Sequence, residues 1–297
     1  MKLSNPTHKS GFVNIIGLPN VGKSTLMNQL LGEKLSIVTH KPQTTRHRIL
    51  GILSEPHYQI VLSDVPGYVE EISYHMHRKM NSYIDESFED ADVLLVMISP
   101  SDTRSLADDL IQRIIESKVY KVLVINKVDL ANEAHIEALT QVWKDRIVFD
   151  KIHRTVAEKG VGVDDLLNTI VLALPEGPPY FPEDQISDRN IRFFVSEIIR
   201  EQIFLLYRQE IPYNAQVDIE GYKDEEDIIH IDAMIYVSRN SQKYILIGKQ
   251  GSAIKELGIR SREQLEEYLG KKVFLKLHVK VREKWRNNED LLRKFGY

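Results

Sequence analysis

Lys23 and Ser24 close the stretch Gly17-Leu18-Pro19-Asn20-Val21-Gly22-Lys23-Ser24-Thr25, a Gly-x-x-x-x-Gly-Lys-Ser spacing suited to holding phosphate. The two glycines let the backbone curl so that successive N–H groups face one concavity. A following helix adds partial positive charge there and Lys23 adds a full one. The Ser24 hydroxyl is placed to bind Mg²⁺. A plain glycine turn before a helix would share this spacing, but the flanks favour a phosphate loop. Phe12-Val13-Asn14-Ile15-Ile16 leads in as an apolar strand, and Leu26, Leu30 and Leu31 lead out at helical spacing.

Two carboxylates follow at strand ends. Asp64-Val65-Pro66-Gly67 comes one residue after the apolar run Gln59-Ile60-Val61-Leu62. An Asp there can hold Mg²⁺ through water while the Gly67 N–H meets a γ-phosphate. Asn126-Lys127-Val128-Asp129 comes directly after Lys121-Val122-Leu123-Val124-Ile125. Asp129 can accept from N1–H and the 2-amino group of guanine, a donor pair that adenine lacks in that arrangement. Asn126 would tie this segment to the phosphate loop and Lys127 would cover the base. Each motif alone is a common turn or solvated loop; their order along one chain turns them into a nucleotide site.

The elements that must position these residues read as an α/β domain. Strands are expected at 12–17, 58–63, 93–99, 119–125 and 147–152, and helices at 23–31, 105–117, 133–143 and 163–173. That alternation predicts a mostly parallel sheet with helices on both faces and a ligand at the strand carboxyl ends. Residues 175–188 hold four prolines without apolar periodicity, so they read as a semi-rigid linker. Beyond them, Asp188 can cap a helix with one apolar face. After Pro212 the period changes to two, at Ile229 to Val237 and at Val273 to Val281. The expected division is therefore 1–174, linker 175–188, and a smaller α+β domain at 189–297.

Composition limits the alternatives. The 297 residues, 42% apolar and 28% charged, are those of a globular chain of about two domains. No apolar run approaches about 18 residues and no signal-peptide core opens the chain, so a cytoplasmic protein is expected. Zero Cys excludes disulfides, thiol catalysis and cysteine-bound zinc. The net charge of −4 is uneven: residues 239–297 carry 15 Lys plus Arg against 7 Asp plus Glu, a balance of +8, leaving −12 on the rest. That end is suited to a polyanion.

Taken in order, these motifs, with Lys41-Pro42-Gln43-Thr44-Thr45-Arg46-His47-Arg48 between the first and second, resemble the translation-factor-type GTPases and closely the Era family. The resemblance implies GTP as substrate and Mg²⁺ as cofactor. It also implies a Thr closing over metal and γ-phosphate, for which Thr44 and Thr45 both qualify. It aligns Asn20 with an Asn that holds an activating K⁺ in some related GTPases. Val65 stands where the family has Thr, and the fifth motif is matched only by Val156-Ala157-Glu158, with Ala157 the base contact through its N–H. Tyr68 stands where Ras-like proteins carry a water-orienting Gln, which implies slow intrinsic hydrolysis.

Gly248-Lys249-Gln250-Gly251 resembles the Gly-x-x-Gly loop of a KH domain, and the element order resembles the type II form of that fold. Lys255, Arg262, Lys280 and Arg282 are candidate phosphate contacts, while Trp285 and Phe274 are either base-stacking residues or core. Position 250 is usually small in the family. Glu210 to Tyr213, Gly270 to Leu275 and Leu292 to Tyr297 extend the resemblance through the second half. It implies binding to the 3′ end of small-subunit ribosomal RNA, a role in small-subunit assembly, peripheral association with the inner membrane, and a monomer. The competing classes are an RNA-binding module with a vestigial nucleotide domain and a P-loop ATPase or kinase.

Overall fold

The computed structural model describes residues 8–102 and 104–297. The chain divides into two compact units. The first takes the described part of Met1–Ser36, with Thr45–Ile72 and Lys79–Asp188; the second takes Ile37–Thr44, Ser73–Arg78 and Arg189–Tyr297.

The first unit is built from β1 (Lys9–Gly17), α1 (Lys23–Leu31), β2 (Ile49–Glu55), β3 (Tyr58–Asp64), α2 (His75–Glu89, its first turn belonging to the second unit), β4 (Val93–Ile98), α3 (Asp108–Glu116), β5 (Tyr120–Asn126), α4 (Glu133–Arg146), β6 (Lys151–Thr155) and α5 (Val163–Ala173). Its six strands run in the order β2-β3-β1-β4-β5-β6, all parallel except β2 against β3. Every residue of β4 is buried, as expected for a strand covered on both faces. Because β1 lies between β3 and β4, the chain leaves it at the point where the strand order reverses. The phosphate loop therefore opens at the position where such sheets hold ligands.

Sequence periodicity misses two of these elements. β2 forms a hairpin with β3 across Pro56 and His57. As an edge strand it shows only a partial apolar pattern. α2 buries Met76, Met80 and Ile84 at a spacing of four, with Phe88 partly buried at the next step, which is a narrow stripe on an otherwise mostly polar helix. The last strand lies at Lys151–Thr155 rather than 147–152, because Ile147 ends α4 and its N–H returns to Trp143 O. Residues 175–188 run along the first unit: Gly177 N donates to His8 O (3.0 Å), Ile52 N to Ile186 O (2.9 Å), and Tyr180 stacks edge-on against Phe12. Asp188 does not cap the next helix. Its carboxylate accepts from Leu50 N, and Asn190 provides the cap through Phe193 N.

The second unit contains α6 (Ile191–Leu206), α7 (Ile211–Asn214), β7 (Gln216–Asp224), β8 (Ile228–Val237), α8 (Asn240–Ile247), α9 (Ser252–Leu269), β9 (Lys272–Val281) and α10 (Glu289–Lys294). Its sheet order is β7-β8-β9, with β9 parallel to β8 and at the edge. Alternate residues of β8 and β9 turn inward. Ile229, Ile231, Ala233, Ile235 and Val273 join Val195 and Ile199 of α6, Leu246 of α8 and Leu257 and Leu265 of α9 in one core. The other face of the sheet points away from these helices.

Candidate functional site

The nucleotide-site residues assemble around the carboxyl ends of β1, β3 and β5. Gly22 has φ +108°, and a Cβ there would lie 2.3 Å from Asn126 Nδ2, so the loop can close at this point only with glycine. Lys23 is buried, and its ammonium donates to Gly17 O and Leu18 O, both at 3.0 Å. Burial pulls its pKa down to about 8, with the nearby Asp64 carboxylate opposing the shift.

Ser24 Oγ donates to Asp64 Oδ2 at 2.6 Å and lies 3.1 Å from Thr45 Oγ1, which is itself 3.5 Å from Asp64 Oδ2. Asp64 is fully buried, and its second oxygen, Oδ1, makes no hydrogen bond. A buried carboxylate oxygen without a partner is unfavourable unless a ligand satisfies it. Two hydroxyls and a carboxylate within one cluster form an all-oxygen donor set for a hard cation, so these residues fit Mg²⁺. Burial raises the Asp64 pKa and Lys23 opposes the rise.

The structure separates the two switch threonines. Thr45 reaches the Ser24 and Asp64 cluster, whereas Thr44 Oγ1 is occupied with Thr39 Oγ1 (2.6 Å) and Lys41 O (2.8 Å). Thr45→Ala is expected to lower GTP turnover at least tenfold and to raise the Mg²⁺ concentration needed for half-maximal rate. Thr44→Ala should change either by less than threefold. Titrating Mg²⁺ against initial rate for both variants checks the assignment.

Gly67 packs against Pro19 of the phosphate loop. Val65 is buried in the apolar cluster formed with Ile16, Val96 and Leu123, which accounts for an apolar side chain between Asp64 and Pro66. Tyr68 Oη donates to Asp109 Oδ2 at 2.6 Å, and this bond pushes the phenol up to about 12. Its hydroxyl is thus committed to α3. Tyr68→Phe should leave kcat within twofold, and a tenfold fall in single-turnover rate would give the phenol a part in the chemistry.

At the base end, Asn126 ties three segments together. Its Nδ2 donates to Val21 O (2.9 Å), while its Oδ1 accepts from Thr155 Oγ1 (3.0 Å) and Ala157 N (2.9 Å). Lys127, at φ +59°, extends its ammonium to Asn20 O (2.7 Å). Asp129 pairs with Lys159 Nζ at 2.7 Å, which holds its carboxyl below the usual range and keeps it an acceptor at neutral pH. Thr155 and Lys159 are absent from the sequence-derived site. The short 3₁₀ turn Ala157–Lys159 carries Lys159 to Asp129. Ser24, Thr25, Val21 and Gly17 complete the loop where expected along the chain.

In the second unit, Gly248 to Gly251 join α8 to α9, with Lys249 and Gln250 exposed. Gly248 has φ +73°, and a Cβ would lie 2.6 Å from Ala253 Cβ. Gln250 also lies in the left-handed region (φ +52°), a conformation costing a non-glycine residue roughly 1 kcal/mol. Lys255 is exposed near the start of α9, and Arg262 is exposed about 10 Å further along it at 1.5 Å per residue. Lys280 is not beside them. It alternates with the inward Val279 and Val281, so it stands on the sheet face away from the helices. Trp285 is fully buried and donates Nε1–H to Asn214 O (3.0 Å), so it is core, whereas Phe274 is 46% exposed. Tyr244, 73% exposed on α8 just before the loop, is an additional aromatic that the sequence pattern did not single out.

Comparison with known proteins accounts for both units. Residues 12–127 match the family described as 50S ribosome-binding GTPase, and residues 210–286 match the KH domain family. The chain is 41% identical to GTPase Era of Syntrophus aciditrophicus over 97% of this chain and 95% of the relative. It is 42% identical to a chloroplastic GTPase ERA-like protein of Arabidopsis thaliana over 99% of this chain and 70% of that one. An Aquifex aeolicus Era variant bound to GDP·AlF4⁻ superposes with a TM-score of 0.91 at 38% identity, covering 97% of this chain and 99% of that one. A structure of Era in complex with MgGDPNP and nucleotides 1506–1542 of 16S ribosomal RNA gives the same score and identity over 98% and 99%. With relatives of that identity spanning both units from end to end, the chain belongs to the Era family of GTPases.

Proposed function

We propose that this GTPase hydrolyses GTP to GDP and phosphate with Mg²⁺ and uses its nucleotide state to control binding of the 3′ end of small-subunit ribosomal RNA during assembly of that subunit. The observation that carries the reading is the convergence of Ser24, Thr45 and the unpartnered Asp64 oxygen beside Lys23, in a chain whose second unit presents the Gly248 to Gly251 loop. The Era complex with MgGDPNP and a 16S fragment supports the same pairing of ligands. The functional division that follows is a nucleotide unit to residue 174, a proline segment at 175–188, and an RNA unit at 189–297.

Phosphoryl transfer to water is governed by positioning and electrostatics. Lys23 would neutralise β- and γ-phosphate charge, the Gly67 N–H would meet the γ-phosphate, and the loop N–H groups would cradle the rest. Ser24, Thr45 and Asp64 would hold Mg²⁺, which when bound draws off phosphate charge. Asp129 would accept from guanine, with Lys127 and Ala157 flanking it. Tyr68, the residue directly after Gly67, has its hydroxyl committed to Asp109 and would not orient water. Intrinsic turnover at or below about 10⁻³ s⁻¹, the scale of unassisted Ras-type hydrolysis, is expected.

Coupling between nucleotide and RNA has a covalent route. Thr45 is bonded to Thr44, the last residue of a segment that groups with the second unit. Within that unit Lys41 Nζ donates to Phe204 O and Tyr207 O at the end of α6, and Val38 N donates to Glu201. Displacing Thr45 on loss of γ-phosphate pulls on this anchored segment. RNA affinity is expected to differ at least tenfold between GTP-analogue and GDP forms. Equal affinities in both forms and without nucleotide, together with hydrolysis unmoved by RNA, would sink the switch. Crosslinking to total RNA and mapping the sites tests the small-subunit assignment against the large-subunit partner that the matched family's description carries.

Three finer readings follow. Activation by K⁺ rests on Asn20, exposed in the loop; equal rates in K⁺ and Na⁺ would end it. Among the described residues no helix is long and apolar enough to cross a membrane. Inner-membrane association is therefore proposed as peripheral, to be checked by cosedimentation with anionic vesicles. A monomer in the cytoplasm is proposed, to be checked by sedimentation.

A further inference from the structure

Among the described residues of the second unit, the outer face of its sheet is covered at one end only. There Tyr236 lies against Phe295 (5.1 Å between rings), Tyr297 Oη donates to Gln216, and Lys294 pairs with Asp218 at 2.6 Å. The C-terminal segment thus closes the end where Tyr236, Gln216 and Asp218 sit. The other end is bare. Phe274 on β9 and His230 on β8 are register partners with rings 5.4 Å apart, and Lys276 Nζ lies 5.5 Å from the Phe274 centroid. Lys272, Lys276, His278 and Lys280 share this face and are all exposed.

What marks this spot is the combination, an exposed Phe with a second ring beside it and a row of lysines on the same sheet face. The lysines are weakly engaged. Lys276 is 3.8 Å from Asp232 and Lys272 is 3.9 Å from Glu266, both beyond hydrogen-bond range, and Lys280 forms no ion pair among the described residues. Successive lysines stand about 13 Å apart at the rise of a strand. Asp232 beside Lys276 and Glu225, 3.6 Å from His230 and 2.6 Å from Lys223, are acidic groups set among them and reduce the local balance without reversing it.

We propose that this bare half-face is a second RNA subsite, which takes single-stranded RNA continuing from the Gly248 to Gly251 groove around the free edge of β9. Phe274, with His230 beside it, stacks one base, and Lys276 and Lys280 neutralise phosphates on either side. The inference rests on the RNA-binding reading above and extends it. A KH groove holds about four nucleotides, whereas the RNA in the Era complex comprises nucleotides 1506–1542, so any strand bound beyond the groove needs further surface. β9 supplies it, since its inward residues line the core under α8 and α9 while its outward residues form the lysine row. Aromatic stacking tolerates any base and suits a flanking, unspecific contact.

The test compares two RNAs on the GTP-analogue-loaded full chain by fluorescence anisotropy: the 16S fragment 1506–1542 and the hexanucleotide within it that the wild type binds most tightly. Phe274→Ala should weaken the long fragment at least fivefold and leave the hexanucleotide within twofold. Lys276→Gln with Lys280→Gln should reduce the slope of log affinity against log salt on the long fragment by about 1.4, at about 0.7 per single-strand phosphate contact. Lys249→Glu should weaken both RNAs. Hexanucleotide binding also reports that each variant is folded. Loss of both RNAs in equal measure by Phe274→Ala, or no loss of either, overturns the subsite while leaving the groove intact. Wild-type protein that binds neither RNA overturns the RNA-binding reading itself.

Discussion

Asp129→Asn is expected to convert a GTP-selective protein into one that prefers XTP, with GTP affinity falling roughly 10³-fold, in line with sites that lose a matched hydrogen-bond pair to a base. In the proposed site the carboxylate would accept two N–H donors from guanine. An Asn at the same place keeps one acceptor and turns an amide donor towards the 2-amino group, where donor meets donor. Xanthine carries an oxygen at that position, so the Asn donor is satisfied. Lys159 keeps the Asp129 carboxyl ionised well below neutrality, so the selectivity should be flat across pH 6 to 9. Competition of GTP, XTP and ATP against a fluorescent GDP analogue measures it. Retained GTP preference in the variant would remove Asp129 from the base site and reopen the ATPase or kinase class.

Lys23→Ala is expected to lower GTP turnover by about 10²- to 10³-fold, the scale seen when one charge-stabilising donor is removed from a preorganised site. Lys23 is buried, holds the Gly17 and Leu18 carbonyls, and lies close enough to Asp64 to influence its titration. Truncation therefore removes the phosphate countercharge and leaves Asp64 without its buried cation. The pH dependence has a definite sign. In the nucleotide-free protein the Lys23 pKa is pulled down to about 8, so the ammonium is largely protonated at pH 7 and largely neutral at pH 9. Only the protonated form attracts phosphate, so nucleotide affinity should fall as pH rises through 8, and binding at pH 9 should take up a proton. Calorimetry in buffers of different ionisation enthalpy reads that proton directly, and Lys23→Ala should abolish it. Wild-type turnover that is itself at background and indistinguishable from the variant's would favour a vestigial nucleotide domain.

Much of the nucleotide site was legible because its contacts come from short contiguous stretches at strand ends. Gly17 to Thr25, Asp64 to Gly67 and Asn126 to Asp129 each carry their chemistry within a few residues, and the parallel sheet that joins them follows from alternating apolar runs. The Gly248 to Gly251 loop was legible for the same reason. Elements with little apolar signal were not: β2 is an edge strand and α2 buries a narrow Met76, Met80 and Ile84 stripe, so neither rises above its polar surroundings.

What the sequence by itself determined is the set of local motifs, their order and the two kinds of unit. Tertiary structure alone decided which neighbour faces the site. Thr44 and Thr45 are chemically identical and adjacent, and only the fold turns Thr45 to Ser24 and Asp64 while Thr44 satisfies its own loop. Val65 reads as a departure until the core that receives it is seen. Lys159 reaches Asp129 through a turn that periodicity does not report. Trp285 and Phe274 carry the same aromatic signal, yet one is core and the other surface, and Lys280 points away from the loop it was grouped with. The reason is common to all of these. Side-chain direction is set by long-range packing, in which a residue's partners lie tens or hundreds of positions away and leave no trace in the spacing of its neighbours.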